Sequence, residues 1–565
     1  MNKKSLIFSM LIIFVLLFTA CNEQAVETAQ PTEAIEEVEE AETTTEAEQP
    51  VETEVVATEE PTAIPEPVAE LKVLRIANTA NITTWDPVKS FSTEAAYMGN
   101  MYEQLLRINP PGADERFTPL LAESWESSAD GLVWTFYLRP DVFFHDGEPL
   151  TAEAVKLSIE AAAARGGASF IWLPLDTITV VDDLTVQFNL KWSAPLDLIA
   201  SSLYGAWIIS PQALAAAETD ENYFEAGLEA GTGPYMLESY TPDQELLFTR
   251  FDDYWGGWAE NQYDKVLVSI VPEAITQQQM LEAGDVDLVT RVPIENYATF
   301  QNNPDYTFYD EASFFNYVGF FNILRPPLDN PLVRQALSYA TPYADIITIG
   351  AKGLGTQSRG PVPAGVWPWS DEVTQYAYDL EMAADLLAQA GYPDGGFSLR
   401  LTYASENDTE AAFAPLIRDS YAQIGVDVQI EPMLFNQQWE LAKSDPANAQ
   451  DMFLLLYWPT YSDAGSDNLW SMFYYTEYPF FNLSYWNSPE YNTLLDEAIA
   501  LTVTDPVTSQ AKYIEAMNLL VSEAPGVFYF DTRAVFIIPD RVEGFVYNLN
   551  YPFTPYFFYQ LSPAE

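Results

Sequence analysis

Hydrophobic and polar positions alternate between two periods along this chain, and the alternation predicts a mixture of strands and helices. Val133 to Leu138 changes face at every residue, as a half-buried strand does. Leu184, Val186, Phe188 and Leu190 repeat at period two directly after Asp182-Asp183, so this segment is predicted to be one arm of a hairpin. Elsewhere the period lengthens. Asn330 can cap a helix, Pro331 suits its first position, and Val333, Ala336, Leu337 and Ala340 then share one apolar face. Asp379 is placed to cap a second helix whose Met382, Ala383, Leu386, Leu387 and Ala390 are predicted to face inward, with Gly391 ending it. Strand and helix patterns succeed one another throughout the body, which predicts an α/β protein, and no solenoid or propeller period is visible.

The N-terminus departs from this pattern. Lys3 and Lys4 precede a weakly polar to apolar run from Ser5 to Phe18, followed by Thr19, Ala20 and Cys21. A membrane-spanning helix needs about 20 apolar residues to cross roughly 30 Å of hydrocarbon, so the shorter run predicts a signal peptide over residues 1–20. Cys21 is the sole cysteine and follows a sequence that resembles a bacterial lipobox, which implies acylation at Cys21 after cleavage; a spare thiol is the alternative. Residues 21–70 form a segment rich in Glu, Thr, Ala and Pro with 16 acidic residues and no Lys or Arg. Such a stretch cannot bury enough apolar surface to order itself, and its 49 residues after Cys21 would span roughly 40 Å as a flexible tether. An outward-facing, lipid-anchored protein in the periplasm or at the cell surface is therefore expected.

Charge narrows the partners. Residues 71–565 still hold 67 acidic against 22 basic side chains. A surface of that sign repels nucleic-acid phosphates and anionic lipid headgroups, so no nucleic-acid partner is expected. A body of this length exceeds one ordinary core and predicts two or three lobes. The 14 Trp, 33 Tyr and 33 Phe are enough both to fill those cores and to line a cleft.

Several segments, in order, resemble the family 5 extracellular solute-binding proteins, the oligopeptide- and dipeptide-binding class. They are Trp85-Asp86-Pro87, Leu120-Leu121-Ala122-Glu123-Ser124-Trp125, Asp130-Gly131-Leu132 leading to Leu138-Arg139, and the run from Phe144-His145-Asp146-Gly147 to Val155. Gly231-Thr232-Gly233-Pro234-Tyr235, Tyr254-Trp255, Gly284-Asp285-Val286-Asp287, Phe321-Asn322 and Val333-Arg334-Gln335-Ala336-Leu337 continue the series. The resemblance implies a two-lobed, periplasmic-binding-protein-like clamshell with an additional inserted domain. Lobe I would comprise 71–106, 230–312 and 540–565, the inserted domain 107–229 and lobe II 313–539, with hinges near 312 and 539. It also implies a monomer that hands a small solute, a peptide first and an oligosaccharide second, to an ABC transporter permease, without a cofactor.

In peptide-binding relatives an Asp in a segment resembling Trp-x-Ala-Asp-Tyr-x-Asp-Pro pairs with the peptide amine. Here the region is Tyr457-Trp458-Pro459-Thr460-Tyr461-Ser462-Asp463-Ala464, and aligning Tyr461 and Asp463 with that pattern puts Thr460 at the anchor position. A threonine hydroxyl offers a buried ammonium hydrogen bonds without the opposite charge it needs, and Asp463, two residues on, is the candidate substitute. Trp458, Tyr461 and Trp85 are candidates to stack on a ligand, the alternative for each being a place in the core. Arg359 could hold a carboxylate with its planar fork or make a surface salt bridge. His145, the only histidine, lies in a turn motif and is expected to be structural; no metal site is expected. The chain has no His-Glu-x-x-His, Gly-x-Ser-x-Gly or phosphate-loop motif, so an enzyme is not expected, a secreted paired-carboxylate glycosidase being the remaining catalytic alternative.

Overall fold

The computed structural model describes residues 71–79, 82–477 and 481–564. The signal-peptide, Cys21 and acidic-tether expectations lie outside the described residues. Among the described residues no helix is long and apolar enough to cross a membrane.

Three large sheets organise the body, and each draws strands from separated stretches of sequence. The first has the order Leu288–Val289, Val73–Asn78, Lys265–Ile270, Glu245–Arg250, Tyr235–Thr241. The second is antiparallel in the order Ala122–Ser127, Val133–Leu138, Thr185–Leu190, Leu175–Asp182. The third runs Gly355–Gln357, Gly526–Pro539, Tyr306–Phe321, Met452–Tyr457, Phe397–Ala404, Val426–Met433.

Burial follows from the period of each strand. In Met452–Tyr457, whose neighbours cover both edges, Phe453, Leu455 and Tyr457 enter one core while Met452 and Leu454 enter the core on the opposite face. That is why the segment is apolar without interruption. The four-stranded sheet shows the simpler alternation expected for Val133–Leu138, with Trp134, Phe136 and Leu138 buried. The predicted hairpin forms between Leu175–Asp182 and Thr185–Leu190. The first and second sheets share one continuous core that runs from Leu74 and Val266 through Phe136 and Trp207 to Tyr551 and Leu561.

Helix boundaries are set by the capping residues. Asn330 accepts a hydrogen bond from the Leu332 amide, Asp379 from that of Met382 and Thr151 from that of Ala154. Val333, Ala336, Leu337 and Ala340 are all fully buried. The second helix differs from expectation at one position: Ala383 and Leu387 are buried and Leu386 and Ala390 pack partly buried against the same core, whereas Met382 is 42% exposed, off the stripe that 383, 386, 387 and 390 form. Gly391 adopts φ +93° just beyond its last turn, a conformation that favours glycine.

The motif residues mostly join the first two sheets. Glu103 is fully buried and accepts from Thr232 Oγ1 (3.0 Å), Tyr254 OH (2.9 Å) and Trp255 Nε1 (2.8 Å). Arg139 lies over the Trp255 ring at 4.1 Å. A Cβ on Gly231 would sit 2.0 Å from the Met101 carbonyl oxygen, so only glycine permits that approach. His145 places Nδ1 at 2.7 Å from Glu229 and Nε2 at 2.8 Å from the Gly233 carbonyl. Both ring nitrogens face acceptors, so both donate, which is the protonated form; burial opposes that charge and Glu229 outweighs it, raising the pKa. Asp287 of the Gly-Asp-Val-Asp motif ties Arg75 in the first strand to Arg541, the residue that follows the strand Gly526–Pro539 and its turn.

Candidate functional site

The third sheet reaches the first through two neighbouring strands. Tyr306–Phe321 and Gly526–Pro539 pair antiparallel over most of their length, but their register shifts between the pairs Ala312/Arg533 and Asn316/Asp531. The irregularity carries buried polar groups. Asp531 accepts from Ser358 Oγ (2.6 Å) and the Ala364 amide (2.9 Å), and burial pushes its pKa up to about 6. Asn316 donates to the Pro361 carbonyl at 2.8 Å. These bonds fix the loop that bears Arg359. The Arg359 guanidinium donates to the Val373 carbonyl at 2.9 Å and is half-buried, with no carboxylate partner among the described residues.

Beside this junction, the strand Met452–Tyr457 runs into the loop that carries four of the candidates. Thr460 donates its amide to Asp467 Oδ2 and its hydroxyl to Asp467 Oδ1 (3.5 Å). Asp467 sits in a π-helical turn, Gly465–Leu469, the rare helical geometry that recurs at functional positions. Asp463 accepts the Gly465 and Ser466 amides on Oδ1 at 2.9 and 3.2 Å, capping that turn, while its Oδ2 is enclosed without a hydrogen-bond partner. Burial raises both carboxyls, Asp463 to about 6 and Asp467 to about 7. Tyr461 is buried in the core shared by the first two sheets, with its hydroxyl 2.7 Å from Ser466 Oγ.

The loop faces connecting segments that lie outside the strands of the other two sheets. Ser202 Oγ donates to the Thr460 carbonyl at 2.9 Å, and Ser462 Oγ donates to Asn550 Oδ1 at 2.5 Å. Around these polar links the contact is aromatic. Trp458 packs on Phe553 at 4.8 Å between ring centres, and Phe315 lies 5.0 Å from Phe553 and 6.1 Å from Trp458. Phe481 lies 5.8 Å from Phe170 and 6.5 Å from Phe91, which itself meets Tyr204 at 5.2 Å. Trp458, Phe91, Phe170 and Phe553 are half-buried and pack on one small core of Ala95, Ala168 and Tyr204.

Thr460, Tyr461, Asp463 and Trp458 are thus gathered on one loop at the meeting of three sheets. Trp85 belongs to the shared core, 4% exposed, with its ring 5.2 Å from Tyr240 and its indole nitrogen unbonded. Arg359 lies on the neighbouring pinned loop. Sequence reasoning missed Asp467, Ser202, Phe553 and Phe481, because each is brought to the loop by tertiary packing across 7 to 258 residues of sequence. A recess of about 330 Å³ is lined by Glu160, Ser169, Trp172, Leu173, Asp176 and Lys191.

Three sheets, two sharing one core and the third joined to the first by two paired strands, with aromatic rings packed where they meet, match the architecture of the two-lobed solute-binding proteins. The chain belongs to the bacterial extracellular solute-binding proteins, family 5, whose model matches residues 116–479. Heme-binding protein A of Haemophilus influenzae is 28% identical over 510 residues, covering 82% of this chain and 86% of that protein. The glutathione-binding protein GsiB of Pectobacterium atrosepticum is 28% identical over 442 residues, covering 76% and 84%. Among solved structures, the ABC transporter-associated periplasmic binding protein DppA of Helicobacter pylori in complex with the peptide STSA superposes with a TM-score of 0.74 at 25% identity, over 87% of this chain and 98% of that one.

Proposed function

We propose that this protein is the extracytoplasmic binding component of an ABC importer and captures peptides in the cleft between its lobes, without chemical turnover. The observation that carries the reading is the loop Trp458 to Asp463, which projects from the third sheet and meets Ser202 and Asn550 on the opposite side. Relatives that bind glutathione and the peptide STSA share the fold. We take 71–106, 230–312 and 540–565 as lobe I, 107–229 as inserted, and 313–539 as lobe II, a division that sheet membership supports except where the strand Tyr306–Phe321 crosses the 312 boundary. The register shift at Ala312/Arg533 and Asn316/Asp531 supports the hinge near 312, where backbone change costs few ladder bonds, whereas at 539 the strands stay in register, Pro539 pairing with Tyr306. Half-buried Trp458 is the side chain of this loop proposed to face the ligand; Thr460, Tyr461 and Asp463 are proposed to hold the loop from within, Arg359 lies on the neighbouring loop, and Trp85 takes the core place that was its alternative. Cys21 carries the lipid anchor that follows signal cleavage, and the chain works as a monomer beside its permease.

Native mass spectrometry of the purified full chain tests the reading through the solute that co-purifies. A peptide mass is expected; a carbohydrate mass replaces the peptide with an oligosaccharide, and steady formation of product from added solute removes the binding role. Replacing Cys21 with Ser is expected to move the protein from the membrane to the soluble fraction.

A further inference from the structure

The two sides meet through aromatic rings, and most of the charges beside them are already engaged. Phe91, Phe170 and Phe553 on one side meet Phe481 and Trp458 on the other at 4.8 to 6.5 Å between centres, mostly edge to face. These rings are half-buried, and they pack against each other rather than deep in a core. The neighbouring ionisable groups point inward to bonds of their own. Glu94 accepts from Ser90, Phe91, Ser92 and Thr83. Asp463 caps the π-helical turn through Oδ1 while its unpartnered Oδ2 is enclosed, and Asp467 holds the Thr460 amide. Lys443 lies over Trp439 at 4.8 Å and Phe481 at 5.7 Å.

We propose that the cleft selects peptides by an aromatic side chain inserted among Phe91, Phe170, Phe481, Trp458 and Phe553, and that it makes no ion pair with the peptide amine. The proposal rests on the peptide reading above and names what that site recognises. An entering ring replaces ring-on-ring contacts in kind, so the walls lose nothing when they part around it. An ammonium would need a carboxylate oxygen, and the two within reach of the loop are enclosed, with exposures of 0% for Asp463 and 1% for Asp467. Thr460 stands where relatives of the peptide class carry Asp, and its hydroxyl is turned to Asp467. A sugar would bring a ring of hydroxyls, each in want of a polar partner that these walls do not offer.

Isothermal titration of the full chain with four probes decides the matter: Phe-Phe, Ala-Ala, N-acetyl-Phe-Phe and cellotriose. Phe-Phe is expected to bind about tenfold or more tightly than Ala-Ala, two or more edge-to-face contacts each contributing roughly two- to tenfold. N-acetyl-Phe-Phe is expected to stay within about threefold of Phe-Phe. Equal affinities for Phe-Phe and Ala-Ala, or loss of more than about a hundredfold on acetylation, overturn the aromatic selection while leaving the peptide reading intact. Cellotriose binding without either free dipeptide, or binding of none of the four, overturns both. Trp458→Ala and Phe553→Ala are expected to lower the Phe-Phe to Ala-Ala ratio and Trp458→Phe to keep most of it. Each variant is checked first for an unchanged cooperative melt; a folded Trp458→Ala that keeps the full ratio also overturns the proposal.

Discussion

At Asp467 burial and bonding pull in opposite directions. Enclosure favours the neutral acid, the Thr460 amide favours the anion, and burial prevails, placing the carboxyl near 7. Asp463 behaves in the same way near 6. Because these folded pKa values lie above the unfolded range near 4, the folded state binds protons that the unfolded state releases, and stability falls as pH rises through roughly 4 to 7. His145 acts with the same sign in a higher window: its pKa is raised by Glu229, so its contribution is complete below about 6.5 and is lost as pH rises through the folded value. Chemical denaturation is therefore expected to show greater stability at pH 5.5 than at pH 8. Asp467→Asn should flatten the slope by about 1 kcal/mol per pH unit within its own window. His145→Ala should cost about 3 kcal/mol at pH 6, since it leaves Glu229 buried without its partner. His145 was legible as structural because its turn motif is local. Asp467 was not, because nothing in a run of Gly-Ser-Asp-Asn-Leu foretells a π-helical turn folded back on Thr460.

Secondary elements were most legible where their ends carry side-chain caps. The Asn330, Asp379 and Thr151 helices begin where their hydrogen-bonding side chains place them, and Asn330→Ala is expected to lower the melting free energy by about 1 kcal/mol without altering the fold. The hairpin at Asp182-Asp183 was equally clear, its turn and period agreeing. What the sequence concealed was which face of a helix meets a neighbour, as Met382 shows, and how long strands divide their work. Tyr306–Phe321 pairs over its first half with one end of Gly526–Pro539 and over its second half with two partners. Such a change of company leaves no trace in hydrophobic period, because the strand stays extended throughout. The cleft aromatics are hidden for a related reason. Phe91, Phe481 and Phe553 lie on three irregular segments, where no repeat marks a shared face.

For the whole molecule, the polar links across the cleft are few enough to be tested together. Ser202 and Ser462 provide side-chain bonds from opposite directions, one toward the Thr460 loop and one away from it. Replacing both with Ala is expected to widen the cleft, read as a larger radius of gyration in small-angle scattering. The same pair should weaken ligand binding by up to about thirtyfold as the closed form loses two hydrogen bonds of about 1 kcal/mol each. An unchanged scattering curve would show that ring contacts alone hold the two sides. The order of sheets along the chain has a different consequence. Tyr551, Tyr556, Phe557, Phe558 and Leu561 complete the core shared by the first two sheets, and Asn100 clasps both the Tyr556 carbonyl and the Phe558 amide. Strands made first therefore wait for residues made more than 450 positions later. During synthesis that core stays incomplete until the last residues of the chain are available, so its final closure is a late event.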